Sequence, residues 1–277
     1  MGLFDWFSSE KKLVNNQENY SEKVDFSDFK KVTDYIYIKS GIVDLDKRAF
    51  ISSKLQQYAI SEHIYTTKMF LDSMERSTTF FQEVINIATV NETFFMREVK
   101  ELEWLVNYIK ECNKPLKILS IPSSSGEEIY SILLLMYKEN LDMSKISFVG
   151  CDINSEAVAS ANEGKYNQHS LHKLDEKTKN KYFSDIGDKQ YKIDESLKTN
   201  VRFKQKNIFE LVDENGEYDV VLSRNMFIYF DEEKRDKALN IIVSLLKNSG
   251  IYIKGHADYI KYHQQLENVE YGIYRKK

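Results

Sequence analysis

The sequence predicts an α/β fold, a doubly wound domain with an all-helical domain in front of it, and three observations carry that prediction. Lys117 to Ile121 reads as a short buried strand, Pro122 to Gly126 cannot continue it, and Glu127 to Glu139 takes helical spacing with Ile129, Ile132, Leu133, Leu135 and Met136 apolar. Two more short apolar runs, Ile146 to Cys151 and Tyr218 to Ser223, have the length and β-branched content of buried strands and alternate with helical stretches. Residues 21 to 98, by contrast, keep helical spacing throughout. At 277 residues the chain is long enough for two domains, each with its own core.

In chain order, Met1 to Phe7 is an aromatic head on a polar run from Ser8 to Asn19, so residues 1–20 are expected to form a flexible segment. Residues 21–98 form the helical domain. Phe26, Phe29, Val32 and Ile36 share one stripe there, and Phe81, Val84, Ile85 and Ala88 share another. Gly41 breaks the first pattern, and Asp44 or Asp46 is placed to cap the next helix. In Asn91-Glu92-Thr93-Phe94-Phe95-Met96-Arg97-Glu98, Thr93 reads as a helix cap and the two Phe residues as filling between domains.

Residues 99–277 form the α/β domain. A helix over Glu101 to Cys112 leads into the first strand, and a helix from Ser155 closes at Gly164 and Tyr166. His169 to Lys181 then reads as helix. Tyr191 to Ile193 reads as a strand able to pair with Val201 to Gln205 in a hairpin, giving a small antiparallel β insertion over about 182–205. Glu232 to Lys247 is expected as helix, Gly250 to Lys254 as strand and Ile273 to Arg275 as the last, edge strand.

A strand, a small-residue loop and a helix together cradle a nucleotide-like ligand, because small side chains let the backbone approach and the opening N–H groups favour a negative group. Asp152, at the tip of the second strand, is placed to accept hydrogen bonds from ribose hydroxyls. The chain has neither Gly-x-Gly-x-x-Gly nor a Gly-x-x-x-x-Gly-Lys-Ser/Thr loop, which disfavours a dinucleotide and a triphosphate. S-adenosylmethionine (SAM) is then the leading candidate. A net charge of −4 leaves no general basic footprint for nucleic acid. Two cysteines, Cys112 and Cys151, argue against a disulfide framework, and five scattered histidines point to no metal. No apolar run approaches the ~20 residues that span a bilayer, so the expected location is the cytoplasm, without membrane insertion.

Four segments in this order resemble the chemotaxis receptor glutamate O-methyltransferases of the CheR family. They are Asn91-x-Thr93-Phe-Phe-x-Arg97-Glu98, Ser123-Ser-Ser-Gly-Glu-Glu-x-Tyr-Ser131, Asp152-Ile153 with Gly164-x-Tyr166, and Ser223-Arg224-Asn225-x-x-Ile228-Tyr229-Phe230-Asp231. Each alone is weak; jointly they are specific and span nearly everything after residue 21. The resemblance implies a Rossmann-like SAM-dependent methyltransferase domain behind a helical domain, with a β insertion that grips a receptor's C-terminal peptide. It also implies that Asn91, Thr93, Arg97, Glu128 and Asp152 contact SAM together with the loop glycine Gly126. Asn207-Ile208 and Ser223-Arg224 would border its adenine and methionine portions, and Arg97 and Tyr229 would face the reacting methyl group. The implied partners are methyl-accepting chemotaxis receptors, bound by a monomer through their cytoplasmic helical region and a tail peptide.

This chain departs from the family pattern in its loop, Pro122-Ser123-Ser124-Ser125, and in Ile129, where a proline is usual. Its front domain offers mainly Lys47, Arg48 and Lys54 where the family often carries an Arg-rich helix. A glutamate side chain is ionised at neutral pH, so methylating it needs alignment and desolvation rather than a strong base, which suits a site without Cys, His or metal. The alternative is a SAM-sensing or inert methyltransferase-like module that binds signalling partners. A nucleic-acid amino-methyltransferase is disfavoured, since with only Pro115 and Pro122 the chain has no Asn/Asp-Pro-Pro-Tyr.

Overall fold

In a computed structural model residues 24–43 and 49–277 are described. The aromatic head Met1–Phe7, the segment 1–20, the caps at Asp44 or Asp46, and Lys47 and Arg48 lie outside the described residues. The chain divides into two compact units, Met1–Ala88 and Thr89–Lys277, so that Asn91–Glu98 falls in the second.

In the first unit the described helices are α1 (Lys30–Ser40), α2 (Ala49–Ser61), α3 (Thr67–Arg76) and α4 (Thr78–Ala88). The apolar stripes go inside as their spacing requires: Phe29, Val32, Ile36, Val84, Ile85 and Ala88 are buried, joined by Leu55, Phe70 and Met74. Phe70 is the centre of this core, meeting Phe29 edge-on at 5.7 Å and Phe80 at 5.4 Å between ring centroids. Gly41 ends α1 at φ 83°, where a side chain would be strained, and its N–H closes on Tyr37 O. Thr66 caps α3 by accepting from Met69 N.

The second unit opens with α5 (Val99–Glu111) and then runs β1 (Leu116–Ser120), α6 (Glu127–Lys138), β2 (Ile146–Asp152), α7 (Ser155–Glu163), β3 (Lys165–Asn167), α8 (Glu176–Tyr182), β4 (Phe183–Asp185), β5 (Gln190–Ile193), β6 (Val201–Gln205), β7 (Tyr218–Ser223), α9 (Glu232–Leu245), β8 (Leu246–Lys254), β9 (Leu266–Glu270) and β10 (Ile273–Lys276). Seven strands form one sheet in the order β6-β2-β1-β7-β8-β10-β9. β1, β2, β6, β7 and β8 are mutually parallel, and β10 is antiparallel to both β8 and β9.

Alternate residues of the central strands enter two separate cores. Ile118, Val220 and Leu222 pack with Leu102 and Leu105 of α5 and Ile129 and Ile132 of α6. Leu119 and Val221 pack with Ala238, Leu239 and Ile242 of α9. A sheet covered on both faces needs strands apolar on both faces, which is why β1 and β7 read as continuous apolar runs. Strand order reverses between β1 and β7, and the crevice beyond their carboxyl ends is where ligands bind in sheets of this kind.

The three remaining strands make a separate antiparallel sheet in the order β3-β5-β4. This corrects the expected hairpin: Val201–Gln205 does not pair with Tyr191–Ile193 but lies parallel to β2, from Phe148 opposite Val201 to Asp152 opposite Gln205. An alternating Val-Arg-Phe-Lys-Gln run suits either an exposed hairpin or the edge of a parallel sheet, and here Phe203 is held under Gly150, where a Cβ would come within 2.3 Å of its ring. The insertion's strands therefore begin at Lys165 and end at Ile193.

The α7 helix stops at Glu163, with Gly164 left-handed at φ 69°, because Lys165–Asn167 pairs with β5. His169–Lys181 is helical only from Glu176, where Asp175 caps by accepting from Thr178 N at 2.7 Å; Leu171 and Leu174 are apolar at i, i+3 because they anchor turns in the core. Ile273–Lys276 is an interior strand, since β9 is the edge beyond it.

Candidate functional site

The loop after β1 is fixed to both neighbouring strands. Ile121 N donates to Leu222 O of β7 at 2.9 Å, and Ser123 N to Cys151 O of β2 at 2.8 Å. Gly126 opens α6 at φ 90°, and a Cβ there would lie 2.9 Å from the Phe203 ring, so glycine is required for both conformation and space. Asp152 turns back onto this loop: one carboxylate oxygen accepts Ser124 N and the other Asn154 N, each at 2.8 Å. The carboxyl is 3% exposed, and burial pushes its pKa up to about 6 against the pull of these backbone donors. Glu128, in the first turn of α6, accepts from Ser120 Oγ and from Arg224 Nη1, both at 2.8 Å.

The stretch Asn91–Glu98 folds across the same rim. Phe95 is wholly buried, edge-on to Tyr166 and Phe183 at 4.9 and 5.2 Å, and its N–H donates to Ser170 O. This corrects the expected interdomain role, for Phe95 belongs to the core of the second unit beneath the small sheet. Phe94 packs on the His172 ring, centroids 4.7 Å apart. Met96 and Glu98 take left-handed backbone at φ 63° and 48°, and Met96 N is held by Ser131 Oγ of α6 at 2.9 Å. Thr93 does not cap a helix: α5 starts at Val99 behind Glu98, whose side chain makes no capping bond.

Arg97 and Tyr229 reach the same strip of backbone. Arg97 Nη1 donates to Glu92 O and Tyr229 Oη to Val90 O, each at 2.7 Å. Asn91, exposed, lies between these two anchors. Two residues far apart in sequence thus converge on Val90–Glu92, at the carboxyl ends of the central strands.

A family model for the CheR methyltransferase SAM-binding domain matches residues 91–274, beginning at the Asn91 of this strip. The chain belongs to the CheR methyltransferase family. It is 33% identical to a chemotaxis protein methyltransferase of Campylobacter jejuni over 80% of this chain and 84% of that one. Chemotaxis protein methyltransferase 2 of Vibrio cholerae is 34% identical over 84% and 85% of the two chains. The corresponding protein of Borreliella burgdorferi is 27% identical over 94% and 98%.

SAM is the cofactor of this CheR-family domain, and the loop fits it in a way that can be tested on its own atoms. The hydroxyls of Ser123 and Ser124 are buried without a hydrogen-bond partner, which is costly unless a ligand completes them, while that of Ser223 at the end of β7 is buried facing the Tyr252 hydroxyl. They lie in the loop after β1 and at the end of β7, on either side of the crevice. Asn207 follows β6 and caps the short turn Ile208–Glu210 by accepting from Phe209 N at 3.1 Å, while Ile208 is buried in the α9-side core.

Arg224 is held by the protein through both of its terminal nitrogens. Its side chain is buried, and Nη2 donates to Arg97 O at 2.5 Å, Glu98 O at 3.2 Å and Glu98 Oε2 at 3.3 Å, while Nη1 holds Glu128. It braces the junction stretch, α6 and the end of β7 together. Burial would raise the Glu98 carboxyl, but Arg224, the His256 N–H and Asn225 outweigh it and hold the pKa below the usual range.

Sequence reasoning missed Asp258. Its two oxygens accept Phe227 N at 2.8 Å, Asn225 N at 2.5 Å and Gly255 N at 3.2 Å, so one buried carboxyl shapes the turn that presents Tyr229. A lone acid in a polar tail carries no local signal of that role.

Proposed function

We propose that this CheR-family enzyme transfers the methyl group of SAM to glutamate side chains of chemotaxis receptors, forming glutamyl methyl esters that adapt chemotactic signalling. The observation that carries the reading is the convergence of Arg97 and Tyr229 on Val90–Glu92, beside a loop whose buried hydroxyls await partners. When bound, SAM supplies an electrophilic methyl group on a sulfonium. The acceptor glutamate is already ionised, so no residue has to remove a proton and the protein's task is alignment and exclusion of water.

In this reading Asn91, Thr93, Arg97, Gly126, Glu128, Asp152, Asn207, Ile208, Ser223 and Arg224 border SAM, with Asp152 accepting from the ribose hydroxyls. Its oxygens accept the backbone N–H groups of Ser124 and Asn154, with Ile153 N–H beside them, and a carboxylate's four acceptor sites are not all used by these. Arg224 acts through Glu98 and Glu128. Arg97 orients the incoming carboxylate as a forked donor, and Tyr229 shapes the methyl path.

The partner is a receptor's cytoplasmic helical region, met by a monomer in the cytoplasm; among the described residues no helix is long and apolar enough to cross a membrane. A receptor tail peptide would add to the small sheet at β3 or β4, its two edges, and not along β5, which is paired on both sides. The reading is tested by incubating the enzyme and labelled SAM with receptor-containing membranes. Label entering the receptor as a base-labile ester supports it; label absent from the receptor refutes it.

A further inference from the structure

We infer that Glu98, Glu101 and His256 form a binding site for a divalent cation of the zinc or manganese class, beside the methyl-transfer crevice and separate from it. Each offers one ligand atom, and these atoms lie within 4.8 Å of one another. Glu98 stands at the N-cap position of α5 and Glu101 in its first turn, while His256 comes from the exit of β8, so the site joins two elements that flank the rim.

The Glu101 carboxylate is the decisive group. It is 5% exposed, its Oε1 lies 2.6 Å from His256 Nε2, and its Oε2 is buried without any hydrogen-bond partner. A hydrogen bond or ion pair to His256 satisfies only one oxygen. An ion held by both oxygens satisfies the pair, and it repays the cost of burying a carboxylate beside a second one.

The local charge agrees. Glu98 and Glu128 share the one buried guanidinium of Arg224, while Glu101 is paired with His256 alone, so the three largely buried carboxylates carry two negative charges beyond that cation. Arg97, a third exposed, is farther off, its Nε 4.0 Å from Glu98 Oε1. Two carboxylates and an imidazole suit zinc or manganese. His256 is about half exposed, so its ring has room to turn and the open side can keep water on the ion. The ion ties α5 to the β8 exit and stiffens the brace that holds Arg97; it takes no part in methyl transfer.

The test titrates untagged, chelator-treated full-length protein with Zn²⁺ and, separately, Mn²⁺ by calorimetry. His169 and His172, whose exposed rings stack 5.1 Å apart, are first replaced by Ala so that they do not collect zinc. One ion per chain is expected, with a rise in melting temperature on binding. His256→Gln, at a half-exposed position, and Glu101→Gln should each weaken binding by about tenfold or more while leaving circular dichroism unchanged. If Glu101→Gln does not fold, His256→Gln decides. No binding up to the order of 1 mM overturns the site, as does binding that His256→Gln leaves unchanged.

Discussion

Replacing Arg224 by Met is expected to destabilise the second unit while keeping the volume of the side chain. The guanidinium is 4% exposed and joins Glu128 at 2.8 Å, Glu98 at 3.3 Å and the Arg97 carbonyl at 2.5 Å. Removing one partner of a buried ion pair costs about 3–5 kcal/mol, because the other charge stays behind without compensation. Here both carboxylates keep other donors, Glu128 the Ser120 hydroxyl and Glu98 the His256 N–H, which favours the lower end of that range. For a unit of this size about 3 kcal/mol lowers the melting temperature by roughly 6–12 °C. Thermal unfolding followed by tryptophan fluorescence measures it, since Trp104 lies in α5. The double variant with Glu128→Gln should recover part of the loss, because it removes one orphaned charge. A melting temperature within about 2 °C of the parent would show that the brace contributes little, and strict additivity would show that the two residues do not act as a pair.

Arg97→Lys and Tyr229→Phe should lower turnover at least about tenfold with little change in SAM affinity, since both would act as charge redistributes; equal losses in both quantities would place them in ground-state binding. SAM affinity should fall about tenfold between pH 7.5 and pH 5 by calorimetry. Burial holds the Asp152 pKa at about 6, so the carboxylate is protonated below that pH and loses its acceptor role; a flat profile, or one unchanged in Asp152→Asn, contradicts this. The same raised pKa means that the ionised carboxyl costs stability as pH rises from 3.8 through about 6, so stability should fall over that window in the parent and not in Asp152→Asn, which itself leaves one of two backbone N–H groups without an acceptor. Gly150→Ala should cost about 1–3 kcal/mol in urea unfolding, because its Cβ meets the Phe203 ring at 2.3 Å; an unchanged midpoint would mean that β6 moves freely. Removing residues 185–190 should spare SAM binding and weaken capture of a receptor carrying a tail, and undiminished capture would take the small sheet out of the interface.

The elements legible in the sequence are those whose burial is periodic. Tyr218–Ser223 is a strand at the expected residues, and Glu127 opens the expected helix, because strands covered on both faces and helices with one apolar stripe print their environment directly into residue order. Short elements do not. Lys165–Asn167 is a strand of three residues with one buried side chain, Tyr166, and three residues cannot display an alternation. Val201–Gln205 shows the pattern of a half-exposed strand but not its partner, which is settled by Phe203 fitting beneath Gly150. At the site, Asp152 and the Ser123–Gly126 loop were visible as a strand tip and a small-residue turn. Arg224 and Asp258 were not legible as braces, since their partners lie 96 and 31 to 33 residues away along the chain.

The central claim, that this CheR-family chain esterifies receptor glutamates, is tested most directly by the chemistry of the product. Full-length enzyme is incubated with methyl-labelled SAM and membranes containing a chemotaxis receptor, and the receptor is then isolated and treated with mild base. The expected result is label on the receptor that base releases as volatile methanol, lost when the receptor's acceptor glutamates are changed to Ala. Label that resists base, or SAM binding with no label on any receptor, would contradict the account.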